Sequence, residues 1–170
     1  MEKTIRVIRE LKEKKIIKDF AIGGGIAVLY YIEPLLTYDL DIFFIPIEES
    51  LDVLSPIYKQ IRDMGYKTQM EYIIIEGVPV QFIPVYNELI RESVQNAAGV
   101  RYGRLKTKVI GLEYLVAIMI QTFRPVDRER LLRIFDETEI NLRLLNKILK
   151  KYRLFEKYQK FRKSYFGEKT

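Results

Sequence analysis

Three consecutive glycines, Gly23 to Gly25, stand between two apolar segments of the chain. The segment before them, Asp19 to Ile22, has the length of a short strand. The segment after them, Ile26 to Ile32, is too continuously apolar for a surface helix. Because glycine has no Cβ atom, such a turn lets the backbone approach a phosphate chain, and the next helix presents unpaired N–H groups. The sequence therefore predicts a strand, a glycine turn and a buried helix.

Two carboxylates follow this unit at a spacing of two residues. The segment from Asp39 to Ile45 alternates and then becomes apolar, which is typical of a strand. Asp39 and Asp41 then share one face of the strand, while Leu40 and Ile42 share the other. Hard oxygen ligands in this arrangement suit divalent cations. The glycine turn and the paired carboxylates together predict a site for a nucleoside triphosphate with Mg²⁺ or Mn²⁺.

The chain has no cysteine and no histidine. This excludes disulfides, thiolate or imidazole metal sites, and nucleophilic catalysis by Cys or by Ser with His. Phosphoryl and nucleotidyl transfer need neither residue, because positioning and metal neutralisation of charge carry most of the catalysis. Any acid–base or metal chemistry must therefore come from carboxylates. The lack of Cys in a chain rich in Lys, Glu and Arg is also typical of proteins from thermophiles.

The rest of the pattern indicates an α+β chain with a mixed sheet flanked by helices. At 170 residues the chain is in the range of one domain. A turn is expected at Glu33-Pro34, and Glu76-Gly77 is the connection expected of a β-hairpin, so the sheet is not purely parallel. Further helices are predicted over residues 2–15, 50–64, 87–96, 112–123, 127–134 and 139–158, and further strands over 72–75, 78–83 and within 101–110.

The segments 21–27 and 37–42 together resemble the nucleotidyltransferase superfamily with the DNA polymerase beta fold. Its motif is a Gly-Gly or Gly-Ser pair at a helix start, followed by an Asp-hydrophobic-Asp strand, matched here by Gly24-Gly25 and Asp39-Leu40-Asp41. The resemblance implies a nucleotidyltransferase core over residues 1–110 and a C-terminal helical region over 111–170, packed as one compact unit. It also implies Mg²⁺-dependent transfer of a nucleoside monophosphate, with phosphates at the glycines and metal at the aspartates.

Gln81 departs from this family pattern. The family's third carboxylate lies on a later strand between hydrophobic residues, and the matching place is Val80-Gln81-Phe82. Glutamine offers one neutral carbonyl oxygen and no base, so nucleotide and one metal ion can bind while transfer slows or stops. Glu71 and Glu76 are the nearby acids, and both rank below Gln81 by position. A nucleotide-binding protein that has lost transfer is therefore one alternative function, and a nucleic-acid-binding module formed by the basic C-terminal region is the other.

A second resemblance lies in the segment from Leu115 to Leu131. Its Arg124-Pro125-Val126-Asp127-Arg128 run is similar to the Arg-x-x-Asp helix junction of nucleotidyltransferases related to type IV toxin–antitoxin toxins. The resemblance implies a nucleotide-binding role for Arg124 and Asp127, and the alternative is a helix N-cap with its local partner. Three positions depart from the junction: Met119, where a lysine is usual, Val126 and Arg130.

Basic residues are concentrated towards the C-terminal end. The net charge is +6, and residues 140–170 carry ten Lys or Arg against two Glu. Aromatic residues interleave with these charges, which suits either RNA binding or a packed core under a solvated face; the spacing favours the core. Lys106 and Lys108 belong to a basic strand pair, and they either solvate an edge strand or reach a triphosphate or a polynucleotide. The interleaved aromatic residues are Tyr152, Phe155, Tyr158, Phe161, Tyr165 and Phe166.

No segment is suited to span a membrane. The longest apolar run, residues 21–32, falls short of the ~20 residues that a spanning helix needs. The first 18 residues are charged and are not followed by a secretory cleavage site. A cytoplasmic protein is therefore expected. Its acceptor substrate is left open among RNA, another protein and a small molecule.

Overall fold

The computed structural model describes residues 1–32 and 37–167, so the predicted turn at Glu33-Pro34 lies outside the described residues. Eight helices and seven strands occur in these ranges. The helices are α1 Glu2–Glu13, α2 Gly24–Leu29, α3 Ser55–Asp63, α4 Glu88–Gln95, α5 Leu112–Thr122, α6 Pro125–Glu137, α7 Leu142–Lys151 and α8 Phe155–Phe166. The strands are β1 Ile17–Ile22, β2 Leu40–Pro46, β3 Lys67–Gln69, β4 Tyr72–Ile75, β5 Val78–Pro84, β6 Ala98–Tyr102 and β7 Leu105–Val109.

The seven strands form a single sheet in the order β3-β4-β5-β2-β1-β7-β6. The pairs β2–β5 and β1–β7 are parallel, and the other four are antiparallel. The predicted mixed sheet is therefore confirmed. The central strands β1 and β2 run antiparallel, so the C-terminal end of β1 lies beside the start of β2. This pairing brings the glycine turn after β1 next to the Asp-x-Asp segment.

The β4–β5 hairpin is confirmed, and its turn has the expected chemistry. Glu76 and Gly77 both have positive φ, 52° and 78°, as a two-residue type I′ turn requires. Edge strand β3, which pairs with β4, was not predicted. All three of its residues are exposed, so it carries no alternation of apolar and polar side chains. Backbone pairing alone defines this strand.

Helix α3 begins five residues later than the predicted start at Ser50. The Asp52 carboxylate accepts a hydrogen bond from the Ser55 backbone N–H at 2.9 Å, which holds the preceding residues in a turn. Pro56 occupies the first helical turn and has no N–H to bond the carbonyl of Asp52. Leu51, inside the range predicted as helix, is fully exposed. The prediction of a helical first turn at 50–54 was therefore wrong.

The single helix predicted over 139–158 is two helices, α7 and α8. The chain turns at Arg153, whose φ of 57° is left-handed, and α8 continues to Phe166. Leu144, in the first turn of α7, is 37% exposed. Tyr158 and Phe161 are buried. For these two aromatic residues, core packing is confirmed over exposure for base stacking.

Strand β2 presents opposite faces to two different environments. Leu40, Ile42 and Phe44 are fully buried on one face. Asp41 and Phe43 alternate with them and point towards α2 and α5, whose side chains line the same cavity. Helix α5 is buried over most of its length and packs against α2, α4, α6 and α7. No helix in the described ranges is long and apolar enough to cross a bilayer.

Candidate functional site

A cavity of about 570 Å³ lies between one face of the sheet and helices α2, α5 and α6. We call it the central cavity. Its sheet wall consists of Asp39, Asp41, Phe43, Glu71, Tyr72, Gln81 and Ile83. Its helix wall includes Leu115, Ile118, Met119, Arg124, Asp127 and Arg130. The sheet wall thus carries acidic and amide oxygens, and the helix wall carries two guanidinium groups above an apolar floor.

The sheet wall brings Asp41 and Gln81 side by side. Strands β2 and β5 pair in parallel with Asp41 opposite Gln81, so the two side chains are neighbours on one face. Asp39 immediately precedes β2, and its Oδ1 accepts a hydrogen bond from Thr37 Oγ1 at 3.2 Å. Both aspartates line the central cavity, which confirms the prediction that they face the same side. Gln81 therefore lies at the place expected for the third carboxylate.

The glycine turn closes tightly around these side chains. Gly24 has a φ of +55°, and a Cβ atom there would lie 1.7 Å from Asp41 Oδ2. A Cβ atom on Gly25 would lie 2.5 Å from Thr37 Oγ1 and 2.9 Å from Arg130 Nη2. Only glycine permits this approach at either position. The predicted helix starts two residues early, at Gly24, and has only six residues, so its macrodipole is short.

Asp41 is held in an environment that disfavours its negative charge. Burial raises the pKa of this carboxyl most, and the neighbouring Asp39 raises it further. Arg130 and Arg124 oppose the shift, and the net result is a pKa of about 6. The positive charge of the two arginines therefore does not fully offset burial and the repulsion between Asp39 and Asp41. A bound cation would supply the missing positive charge.

Asp127 on the helix wall is in the opposite situation. It is 1% exposed, and its Oδ2 accepts hydrogen bonds from Thr122 Oγ1 at 2.7 Å and from Arg124 N at 3.0 Å. The Arg124 guanidinium also pairs with both of its oxygens. Burial alone would raise the pKa of Asp127, but these hydrogen bonds outweigh it and hold the pKa below its usual range. Asp127 thus caps α6 from its third residue and fixes Arg124, which is the capping partner.

Arg130 lines the cavity, although the sequence indicated it only as a departure from the family's helix junction. Its Nε is buried without a hydrogen-bond partner in the described part of the chain, and Nη2 lies beside Gly25. Met119, which replaces the usual lysine, is buried in the helix wall. The positive charge on this wall therefore comes from Arg124 and Arg130. Arg124 is the N-cap of α6, and Arg130 follows Asp127 at i+3 on the helix, so the spacing of Asp127 and Arg130 was the sequence signal that these two side chains are neighbours.

Lys106 and Lys108 lie elsewhere. Strand β7 runs parallel to β1 with Val109 opposite Ile22, so Lys106 is about 10 Å back from the glycine turn. It is exposed and does not line the central cavity. Lys108 forms an ion pair with Asp19. The strand at the sheet edge is β6 rather than β7, so the predicted edge role does not apply to either lysine.

The two acids weighed as substitutes for a third carboxylate are separated by the structure. Glu76 lies in the hairpin turn, where it accepts a hydrogen bond from Tyr66 and pairs with Lys3. Glu71 precedes β4 and lines the central cavity. Among residues 1–32 and 37–167, however, no three acidic side chains form a cluster that could hold a metal ion. Among the described residues, Glu71 therefore lines the cavity but does not form a three-residue metal-binding cluster with Asp39 and Asp41.

Comparisons with known proteins identify the fold. No protein-family model matches the chain, and no curated protein matches it. A solved structure, an antigenic nucleotidyltransferase-like protein from Paracoccidioides brasiliensis, is similar with a TM-score of 0.52 and 15% identity, over 75% of this chain and 72% of that one. ANT(2″)-Ia in complex with adenylyl-2″-tobramycin has a TM-score of 0.47 and 15% identity, over 95% and 96% of the two chains.

The first similarity shows that the chain has a nucleotidyltransferase-like fold, and the predicted fold class is confirmed. It covers about three quarters of each chain. The finer relationship to toxin–antitoxin toxins stays a prediction.

Proposed function

We propose that this protein is a nucleotidyltransferase that moves a nucleoside monophosphate from a nucleoside triphosphate to a hydroxyl group. The observation that carries the proposal is the pairing of two unlike walls across one cavity. Asp39 and Asp41 face Arg124 and Arg130 in a space of about 570 Å³, which is the size of a small-ligand site. In a metal–nucleotide complex, the positive metal ion would bind the aspartates of the sheet wall. The negative phosphates would bind the arginines of the helix wall.

The residues of the sheet wall fit one divalent cation. Asp39 and Asp41 supply carboxylate oxygens, and Gln81 supplies a carbonyl oxygen beside Asp41. The raised pKa of Asp41 supports the fit, because a cation would relieve the repulsion from Asp39. Mg²⁺ prefers such oxygens, retains several waters and usually arrives with substrate phosphates. When bound, the ion would neutralise charge on the reacting phosphate.

The helix wall would hold the triphosphate. Arg130 has a buried Nε with no hydrogen-bond partner among the described residues. Arg124 is held in place by Asp127 while its side chain remains 64% exposed. Guanidinium groups bind phosphate oxygens with two parallel hydrogen bonds. Gly24 and Gly25 keep the backbone close to this position. The arginines, rather than the short helix α2, would supply most of the attraction.

The transfer itself would follow from this placement. The acceptor oxygen forms a bond to the α-phosphorus as the bond from that phosphorus to the bridging oxygen breaks, and pyrophosphate leaves. The acceptor hydroxyl loses its proton in the same reaction. Gln81 cannot accept it, since an amide has no basic oxygen or nitrogen. Of the two further acids that line the cavity in the described residues, Asp127 is engaged by Thr122 and Arg124, so we assign the proton to the carboxylate of Glu71.

A second candidate is a nucleotide-binding protein of the same fold that has lost transfer. The register of β2 and β5 favours it, because the position beside Asp41 carries the neutral Gln81. In this case the two walls still bind the metal and the nucleotide. No phosphorus–oxygen bond is made.

The experiment is label transfer from each of the four α-labelled nucleoside triphosphates, with Mg²⁺ or Mn²⁺. The acceptors are bulk tRNA, the protein itself and a panel of small hydroxyl compounds. The test variant is Asp39→Asn/Asp41→Asn, and the control is Asp63→Asn, an exposed acid at the end of α3. Transfer that the double variant loses and the control retains supports the enzyme. Transfer that survives in the double variant contradicts it.

The Gln81→Asp variant separates the two candidates. Metal-dependent nucleotide binding without transfer in the wild type, with transfer gained in Gln81→Asp, establishes the degenerate binder. Transfer in the wild type that Gln81→Asp leaves within about twofold establishes that the enzyme works without a third carboxylate. If neither protein binds nucleotide, both candidates fail.

A further inference from the structure

A second cavity of about 490 Å³ opens on the same sheet face, beside the central cavity. We call it the side cavity. It shares Asp39, Tyr72 and Arg130 with the central cavity. Its own lining is Thr37, Tyr38, Gln69, Met70, Ile74 and Pro79. The proposed metal and phosphate groups therefore lie at the junction of two spaces, which is what a transferase with two substrates requires.

Strand pairing explains why the two cavities adjoin. Tyr72 pairs with Gln69, and Ile74 pairs with Pro79, so these side chains share one face of the sheet. By the same register that face continues to Gln81, and then to Asp41 on β2. The side cavity thus covers the β3–β4–β5 end of the face, and the central cavity covers its middle. A ligand in the side cavity would lie next to Asp39.

The charges of the two cavities differ. The central cavity has two arginines and the glycine turn, which suit a triphosphate. Among the residues that the structure describes, the charged ones lining the side cavity are the shared Arg130 and Asp39, which have opposite signs. This described lining offers a polyanion such as RNA one basic residue and a polycation one carboxylate. The nucleotide therefore belongs in the central cavity, and the side cavity suits a neutral molecule.

The lining also indicates the shape of that molecule. Tyr38 is 78% exposed and Met70 is 90% exposed, so both present apolar surface at the rim. Tyr72 adds a second aromatic ring, and Ile74 and Pro79 give an apolar floor. Tyrosine and methionine side chains pack well against planar rings. Thr37 and Gln69 supply the polar groups that would orient a hydroxyl.

From these observations we infer that the side cavity binds the acceptor, and that the acceptor is a small neutral alcohol carrying an aromatic ring. The inference rests on the proposed function, because it needs the nucleotide in the central cavity. Two of the basic residues near the C-terminal end pack on aromatic rings and do not line the side cavity. Lys157 donates to the Gln121 carbonyl and lies over Phe123, and Arg162 lies over Phe135 and Phe166, so these cations cover the aromatic core.

The test uses three acceptor probes with α-labelled ATP and Mn²⁺: 2-naphthylmethanol, tobramycin as a polycation and a short single-stranded RNA with a free 3′ hydroxyl. Transfer to each probe gives its KM. The variants are Tyr38→Ala and Met70→Glu, both at exposed rim positions where folding tolerates change. Leu142→Glu is the matched control, since this exposed leucine on α7 lines neither cavity. Affinity for the ATP–Mn²⁺ complex is measured in parallel on all proteins.

We expect transfer to 2-naphthylmethanol, with KM raised about tenfold in each rim variant and unchanged in the control. Preferred transfer to RNA or tobramycin overturns the inference, as does an unchanged KM in the rim variants. Saturation-transfer NMR detects 2-naphthylmethanol binding even where transfer is slow. If ATP–Mn²⁺ binds and the alcohol does not, only this inference fails. If ATP–Mn²⁺ does not bind, the proposed function fails first.

Discussion

The two walls of the central cavity hold acidic side chains in opposite states. On the sheet wall, burial and Asp39 raise the pKa of Asp41 to about 6. On the helix wall, hydrogen bonds from Arg124 and Thr122 outweigh burial and lower the pKa of Asp127. One carboxylate lacks compensation, and the other is completely paired. The difference supports the proposal that Asp41 binds a ligand while Asp127 stabilises the fold, although both line the same cavity.

Removing the uncompensated acid should have the largest effect on activity. We expect Asp41→Asn to lower transfer by more than about 100-fold, because losing even an outer partner of a metal ligand costs about 10–100-fold. The same change should leave the free energy of unfolding unchanged or raise it at pH 8, where the buried carboxylate is ionised. Label transfer and thermal unfolding measure the two effects. A large loss of stability in this variant would remove the contrast between the walls.

Removing the paired acid should act mainly on stability. Asp127→Ala deletes the cap of α6 and the partner of Arg124, so we expect the free energy of unfolding to fall by about 2 kcal/mol. Urea unfolding measures it. Asp136→Ala is the control, since Asp136 is exposed on the same helix. If Asp127→Ala unfolds like the control, the hydrogen bonds to Asp127 contribute little and its structural role is wrong.

Arg130 tests whether the helix wall binds the phosphates. Arg130→Ala should weaken ATP–Mn²⁺ binding about 10- to 30-fold, because charge-assisted hydrogen bonds to phosphate contribute about 1.5–2 kcal/mol. Arg130→Lys should recover part of the loss by restoring the charge without the planar group. Titration calorimetry gives the affinities. Arg133→Ala, which removes an ion pair with Glu137 further along α6, should change the affinity less than twofold.

The smallest expected effect concerns Glu92 on α4. It accepts a hydrogen bond from Tyr114 on α5, one of the helices of the helix wall. Burial would raise its pKa, but hydrogen bonds from Lys151, Tyr152 and Tyr114 lower it to about 2. Since the folded pKa lies below the unfolded one, the stabilisation is present above pH 4.5 and is lost as the pH falls towards 2. We expect about 1 kcal/mol, because the group is partly exposed. Unfolding of wild type and Glu92→Gln should converge at low pH, whereas Glu88→Gln should track the wild type throughout.

The sheet wall could be predicted from the sequence because its signals are local. Gly24, Gly25, Asp39 and Asp41 lie within 18 residues, and their spacing encodes the turn and the shared face. The family resemblance implied a third carboxylate between hydrophobic residues and so pointed to Gln81, and strand register then placed it beside Asp41. Alternation along strands and glycine at close approaches are strong constraints. The observed strands and helices differ from the predicted ones mostly in the residues at which they begin and end.

The helix wall and the side cavity could not be predicted to the same extent. Arg130, some 105 residues later in the chain, reaches the glycine turn only because α6 packs on α5, across the central cavity from the sheet. Strand β3, which borders the side cavity, has no apolar pattern. The break at Arg153 was missed because the apolar spacing continues through it. Each of these features depends on tertiary packing that periodicity does not record.

The most direct test of a site shared by both walls is the affinity of α,β-methylene ATP with and without Mn²⁺. Because the metal and the nucleotide would occupy one cavity, each should strengthen binding of the other. We predict that Mn²⁺ raises nucleotide affinity at least about tenfold in wild type and in Asp63→Asn, and less than about twofold in Asp41→Asn. A nucleotide affinity that ignores Mn²⁺, or that responds to it equally in Asp41→Asn, would contradict a metal–nucleotide site between these walls.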